Sequence, residues 1–298
     1  MSKDITIIYV IYKSGDIFFD NIKLLKNFKK IIIDNDPRSN LEEKIKKIDS
    51  NVDYTKLQKN IGMAKAANLA FEKVKTKFFL YITADTIIDE KNILYLRDIF
   101  YKYKNVGLAC PLHLNQDNNY KGNYFCHPVK RLAKRNNYEK YIYKSLSKLE
   151  PKGDFFVESV WGAPIMLLKD TVKKIGFFDS NFFMYFEDVD LCDRLKANGL
   201  SIIETPSAYC NHIIEVKKLK SISNHYTTTT SFKFSELYYF SKYDPKYVYR
   251  IYIHSFDFFV RIFINLVLFR KYKTFSNIFK LIGILRYIFF KLKKYNKN

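Results

Sequence analysis

Four carboxylates arrive together in the segment Phe182-Phe183-Met184-Tyr185-Phe186-Glu187-Asp188-Val189-Asp190-Leu191-Cys192-Asp193-Arg194, directly after an aromatic run. Acids at a helix start are favoured by capping and by the helix dipole, each by about 0.3–1 kcal/mol. That accounts in full for Asp190 and Asp193. It accounts less well for Glu187 and Asp188, which abut five residues of which four are aromatic. An apolar setting raises a carboxyl's pKa and suits a group that must take up a proton, so this pair is a candidate general base. Polar residues also interrupt apolar runs at Tyr12-Lys13-Ser14, Asp34-Asn35-Asp36 and Thr83-Ala84-Asp85.

These residues need a scaffold that brings them together. Ile5 to Ile11, Ile31 to Ile33 and Phe78 to Ile82 are apolar runs short enough to be buried strands, and Val106 to Cys110 reads as a further one. Helix-like stretches at Leu41 to Ile48, Ala64 to Val74 and about Asn92 to Tyr101 lie between them. Such β-α-β alternation predicts a parallel sheet covered on both faces. The three polar segments each follow a strand, so they fall along one edge, outside the carboxyl ends, where open α/β sheets bind ligands. Polar strand ends are also ordinary loop starts; three together favour the ligand reading. Pro111 to Pro151 is polar, includes the run Asn115 to Asn119 and a basic stretch from Lys130 to Arg135, and reads as an insertion over the sheet edge. A second ordered block, Phe155 to His212, holds a strand around Trp161 to Leu168 and a helix from about Val189 to Ala197, stopped by Asn198-Gly199.

Composition excludes a disordered chain, since 48% hydrophobic and 17% aromatic residues can offset the entropy of ordering. The net charge of +21 invites nucleic acid or anionic membrane as a partner, although Lys, Asn, Ile, Tyr and Phe rise together as they do under AT-rich codon bias. Residues 241–298 carry 13 Lys or Arg against two acids, or +11 of that total. Within this tail His254, Asp257, Arg261 and Asn265 fall on one face of an otherwise apolar helix over 251–269, which argues against a simple membrane span. A second run, Phe275 to Phe290, ends in Lys291, Lys293 and Lys294. The pattern suits an interface between water and anionic lipid; a helical pair packed on the protein or on another subunit is the alternative. The cysteines, Cys110, Cys126, Cys192 and Cys210, form no CxxC pair, and no secretory signal precedes the first strand, so reduced thiols in a cytoplasmic compartment are expected.

Taken in order, Tyr12-Lys13-Ser14, Asp34-Asn35, Asn60-Ile61-Gly62 with Asn68, Thr83-Ala84-Asp85-Thr86, Trp161-Gly162-Ala163, Glu187-Asp188-Val189-Asp190-Leu191 and His212 resemble the motifs of a glycosyltransferase family 2 enzyme of the GT-A fold. The pattern is most similar to rhamnosyltransferase-like members that build bacterial surface polysaccharides, and it covers Ile5 to about His212. The resemblance implies an α/β GT-A nucleotide-diphospho-sugar transferase fold, with a mostly parallel Rossmann-like sheet, over residues 1–220. A helical, basic, aromatic and membrane-associating region would occupy 221–298. It implies an inverting hexosyltransferase that moves a sugar, rhamnose in those members, from a dTDP or UDP donor to a glycan or polyprenyl-linked acceptor. The enzyme would sit on the inner face of the cell membrane.

On this resemblance Asp188 is the base, and Glu187 fixes the base or the acceptor. Tyr12, Asp34, Asn35, Asn60, Gly62, Asn68, Thr83 and Asp85 bind the donor nucleotide. Trp161, Gly162 and Ala163 line the sugar and acceptor pocket, and Asp85 with His212 holds Mn²⁺ or Mg²⁺. The chain departs from the family pattern at three places: Thr83 replaces the first carboxylate of Asp-x-Asp, Asp36-Pro37 replaces a serine, and Ile213-Ile214-Glu215-Val216 replaces the usual glycine and serine.

Two rivals are weaker. A sugar-nucleotide nucleotidyltransferase needs a glycine-rich basic loop after the first strand, and Tyr12-Lys13-Ser14-Gly15-Asp16 has one glycine. A non-catalytic basic protein binding membrane or nucleic acid would have no use for the acids from Glu187 to Asp193, which repel phosphate. No nucleic-acid partner is expected.

Overall fold

The computed structural model describes residues 4–114, 153–160, 162–213, 221–249 and 251–296. Trp161, Cys126, the segment Ile214 to Val216, the His254 side chain and the expected insertion beyond Leu114 lie outside the described residues. The rest divides into two compact units, one within Met1–Asn181 and Glu187–Ile214, the other within Phe182–Phe186 and Glu215–Asn298.

The first unit is α/β. Its elements run β1 (Ile5–Ile11), α1 (Asp16–Leu24), β2 (Lys29–Asp34), α2 (Glu42–Ile48), β3 (Val52–Lys56), α3 (Met63–Glu72), β4 (Phe78–Thr83), β5 (Thr86–Ile87), α4 (Glu90–Lys102) and β6 (Val106–Leu114). They continue through β7 (Phe155–Phe156), β8 (Ile165–Leu168), α5 (Lys169–Ile175), α6 (Glu187–Ala197) and β9 (Ser201–His212). The sheet order is β3-β2-β1-β4-β8-β6-β9-β5, with β7 on β9. The block β3-β2-β1-β4 is parallel, as is β6 with β9, while β8 runs antiparallel between β4 and β6.

Every residue of β1 is buried, because this central strand is flanked on both sides by partners and is apolar on both faces. Lys30 in β2 is buried as well, and its ammonium meets Asp49 at 2.6 Å, which satisfies both charges at the turn after α2. Helix α4 starts where Asp89 accepts the Asn92 N–H at 2.8 Å, a side-chain N-cap. Three expectations change in detail. Pro111 to Leu114, expected to open the insertion, instead extend β6 and pair with β9. The apolar run from Trp161 yields a strand only at Ile165–Leu168, and the helix expected from Val189 begins two residues earlier, at Glu187.

The second unit is helical: α7 (Ile222–Tyr243), α8 (Pro245–Tyr249), α9 (Ile251–Val267) and α10 (Lys271–Tyr295). Gly283 lets α10 approach α7, since a Cβ there would lie 2.8 Å from both the Thr230 carbonyl and the Lys233 Cβ. The aromatic run Phe182–Phe186 packs on α7, with Phe182 against Tyr238 at 5.0 Å and Phe186 against Tyr239 at 5.2 Å between ring centroids. The Ser235 hydroxyl donates to the Met184 carbonyl at 2.9 Å. Tyr185 and Phe186 are held at φ 74° and 67°, a left-handed conformation that costs a non-glycine residue about 1–3 kcal/mol. Ring packing and the serine bond offset that cost. Among the described residues no helix is long and apolar enough to cross a membrane.

Candidate active site

Because β1, β2 and β4 are parallel, their carboxyl ends bring residues 12–14, 34–36 and 83–85 to one edge of the sheet. Asp34 is buried; its Oδ1 accepts the Asp36 N–H at 3.0 Å and its Oδ2 the Tyr54 hydroxyl at 2.6 Å. Asn35 accepts the Ile61 N–H at 2.9 Å and donates to the Gly62 carbonyl at 3.2 Å. Asn60 accepts the Gly62 N–H at 2.9 Å, and Gly62 itself sits at φ 89°, which suits only glycine. Asn68 donates to the Phe178 carbonyl at 2.7 Å and accepts the Phe178 N–H at 3.0 Å. The three asparagines therefore shape the edge by holding its loops. Tyr12, 40% exposed, offers its ring to solvent there.

Beyond β4 the short strand β5 pairs antiparallel with the end of β9, Thr86 opposite His212, and the Ile213 N–H donates to the Asp85 carbonyl at 2.8 Å. This ladder sets His212 Nε2 3.3 Å from Asp85 Oδ1, with both side chains about half-exposed. Thr83, in place of a first carboxylate, shares a hydroxyl contact of 2.9 Å with Thr86. Burial works against the charge on Asp85, but the hydrogen bond and charge of His212, with help from Thr83, outweigh it and hold the carboxyl below its ordinary range.

No third His, Cys, Asp or Glu joins this pair among the described residues. A divalent cation fits nonetheless. Two adjacent ligands at about 2.1 Å from a hexacoordinate ion lie about 3 Å apart, near the separation seen, and the remaining places suit phosphate oxygens and water. Carboxylate with imidazole suits Mn²⁺ somewhat better than Mg²⁺.

The carboxylate pair opens α6. The N–H of Gly162, a residue at φ 58°, donates to Asp188 Oδ2, and the Val189 N–H donates to Oδ1 at 2.8 Å. Asp190, fully buried, is used for structure: it meets Arg194 Nε at 2.8 Å. The Arg194 guanidinium, in the last turn of α6, also donates to the carbonyls of Ile175, Gly176 and Phe177, pinning the helix to the end of α5. Burial and then the charge of Asp188 push the Glu187 carboxyl up, and its Oε2 is buried without a hydrogen-bond partner. Burial raises Asp188 too, against the N–H donors that favour its charge. Of this coupled pair Glu187 is the member that keeps a proton and Asp188 the member that stays ionised.

Two neighbours carry no sequence motif. Tyr81 of β4 is kept neutral by burial and then by the charges of Glu187, Asp188 and Asp85, so it lies within electrostatic reach of all three carboxylates. Its position four residues before Asp85, on the Thr83 side of an alternating strand, was the available signal. His113 of β6, opposite Cys210, is pushed down to about 4 by burial and then by His212, and is therefore a neutral imidazole. Ala163 is buried beside Gly162.

Comparison with known proteins bears on the fold. Residues 18–158 match Glycosyl transferase family 2. The poly-beta-1,6-N-acetyl-D-glucosamine synthase of Staphylococcus aureus, in strains MSSA476 and MW2, is 28% identical over 218 residues, which is 69% of this chain and 49% of the synthase. The teichoic acid poly(glycerol phosphate) polymerase of Staphylococcus epidermidis is 34% identical over 74 residues, 24% of this chain and 10% of the polymerase. The chain thus spans about half or less of the length of these curated relatives. A crystal structure of GalNAc-T7 with UDP, GalNAc and Mn²⁺ superposes with a TM-score of 0.53 at 13% identity, over 72% of this chain and 43% of that one. Residues 18–158 are thus similar to Glycosyl transferase family 2, within an α/β unit of the GT-A fold.

Proposed function

We propose that the chain is an inverting glycosyltransferase that moves a sugar from a UDP or dTDP donor to a glycan or polyprenyl-linked acceptor in surface polysaccharide synthesis, at the inner face of the cell membrane. The observation that carries this reading is the gathering of Asp85, Glu187 and Asp188 around Tyr81, with His212 on Asp85. A diphosphate would be repelled by the Asp85 and Asp188 carboxylates unless a cation lay between. When bound, a divalent cation held by Asp85 and His212 supplies Lewis-acid neutralisation of the departing diphosphate.

The protein's own residues account for the rest. Asp188, aimed by the Gly162 and Val189 N–H groups, takes the proton of the acceptor hydroxyl as its oxygen bonds to the anomeric carbon. The bond from that carbon to the diphosphate oxygen breaks with its electron pair, and the configuration inverts. Glu187, protonated and carrying an unpartnered oxygen, donates to the acceptor or to Asp188. Tyr12 and Asp34 face the nucleoside, the loops held by Asn35, Asn60, Gly62 and Asn68 shape its cleft, and Gly162 with Ala163 borders the sugar. The curated relatives are named for N-acetylglucosamine and glycerol phosphate polymers; rhamnose as the transferred sugar rests on motif pattern alone.

The test is a thermal-unfolding screen against UDP- and dTDP-sugars with and without Mn²⁺. A native-state ligand at 100 times its Kd adds about 2.7 kcal/mol of stability, so a metal-dependent rise in midpoint is expected with one nucleoside. A midpoint unmoved by every donor would overturn the proposal.

Glu187→Gln should leave the acid limb of the kcat/KM profile in place, because Asp188 ionises while its neighbour is still protonated, and should remove the alkaline limb that Glu187's own ionisation sets at about 8. The stability effect has a definite sign. A carboxyl raised in the folded state stabilises below its unfolded pKa and ceases to as pH rises through the folded value, so the variant should gain stability over wild type only on the alkaline side. An alkaline limb that persists unchanged in the variant would show that Glu187 is not the group that must keep its proton.

A further inference from the structure

Helix α9 keeps its polar residues on one side, where Arg261 and Asp257 are still 60% and 42% exposed, and its apolar residues on the other. It packs on α10, and on that side Arg261 Nε meets Asp257 at 2.7 Å while Asn265 is buried. Lys280 of α10 feels Arg261 and Asp257 as well as Lys233 and Glu236 of α7, so charged groups of three helices share this side. The ammonium groups of Lys233 and Lys280 both lie over the Phe258 ring, at 5.6 and 5.4 Å. Away from α10, Phe256, Phe259, Phe263, Leu266 and Val267, with Phe269 just past the helix end, are 57–90% exposed. Their spacing puts them on one side of the helix. A contiguous apolar face of this kind is a surface that something covers.

Three observations select the occupant. First, between residues 245 and 298 Asp257 is the single acid, and it is bridged to Arg261, whereas Arg270, Lys271 and Lys273 follow the helix end directly. The rim of the face is therefore cationic. Second, a second copy docked face to face would set these cationic rims against each other, which like-charge repulsion opposes. Third, α9 has 17 residues, about 26 Å of helix. That is short of a hydrocarbon core of about 30 Å, so the helix is suited to lie in the plane of a bilayer surface.

We infer that the outward face of α9 seats in an anionic lipid bilayer, with Phe256, Phe259 and Phe263 in the acyl boundary and Arg270, Lys271 and Lys273 at the lipid phosphates. This deepens the proposed placement at a membrane by naming the surface that makes it.

The test is flotation of the full chain with vesicles of phosphatidylcholine alone or mixed with phosphatidylglycerol. The wild type should float with the mixed vesicles and far less with the neutral ones. Phe259→Glu with Phe263→Glu should abolish flotation while leaving the unfolding midpoint in place, since both rings are exposed; Phe263→Ser is the milder variant should the double change disturb folding. Each basic residue near an anionic surface contributes about 1 kcal/mol, a factor of about five. Replacing Arg270, Lys271 and Lys273 by Gln should therefore weaken binding to the mixed vesicles roughly 100-fold and leave neutral vesicles unaffected.

A folded Phe259→Glu, Phe263→Glu protein that floats like wild type would overturn the inference. So would a wild type that ignores both vesicles yet forms a dimer which those changes dissociate, because the face would then belong to a second copy. Flotation reads no sugar transfer: a chain that floats without transferring sinks the proposed function alone, and one that transfers without floating sinks this inference alone.

Discussion

Asp188→Asn should keep the fold and the donor affinity and lose transfer by about a thousandfold or more. General-base assistance contributes roughly 10²–10⁴ in rate, each tenfold being about 1.4 kcal/mol of barrier. Asparagine has nearly the same volume, and its carbonyl oxygen can accept one of the two N–H groups that Gly162 and Val189 direct at this position. The amide cannot take up the acceptor's proton. Initial rates with saturating donor, beside calorimetric binding of the donor, separate the two effects. Unchanged rates would remove Asp188 as the base, and a parallel fall in donor affinity would make it a structural residue of the Gly162 turn.

The second large effect is expected at Asp85. Asp85→Ala leaves His212 as the lone protein ligand of a cation, so donor affinity in Mn²⁺ should fall by on the order of 100-fold, whereas affinity without metal should hardly change. The metal-free arm matters because the alanine also removes a negative charge near the diphosphate, which would by itself strengthen binding. Wild-type protein that binds donor equally with and without Mn²⁺ would refute the assignment. His212→Ala should show the same pattern in weaker form, since it removes one ligand and leaves the Asp85 carboxylate in place.

Much of the α/β unit was legible in the residues. Ile5–Ile11 and Phe78–Thr83 are central strands, where burial on both faces demands unbroken apolar runs, and such runs are hard to miss. β3 escaped because Val52–Lys56 lies at the sheet edge, needs only one apolar face, and reads Val-Asp-Tyr-Thr-Lys. Helix α1 was lost in the polar reading of the loop after β1.

The site divided in the same way. Asp34, Asp85 and Glu187-Asp188 could be marked because an acid after an apolar run is conspicuous. That Asn35, Asn60 and Asn68 bind loops depends on backbone partners up to 110 residues away, and no spacing encodes those. Tyr81 and His113 were invisible for another reason: aromatic and imidazole side chains in a strand look like ordinary core until the carboxylates around them are located. In the tail the polar stripe of α9 was readable, but the side it faces was not. Which side turns inward depends on Lys233, Glu236 and Lys280, contributed by two other helices.

The aromatic run Phe182–Phe186 belongs by its packing to the helical unit, while the chain on either side belongs to the α/β unit. The polypeptide thus visits its other half for five residues and returns immediately ahead of the Glu187-Asp188 pair. Modular exchange is constrained as a result. A chimera that took residues after 214 from another protein would strand Tyr185 and Phe186 in left-handed backbone with foreign partners, and the first turn of α6 would inherit that mismatch. The inheritable module is discontinuous: a new helical half must bring its own version of these five residues, and the two segments have to change together.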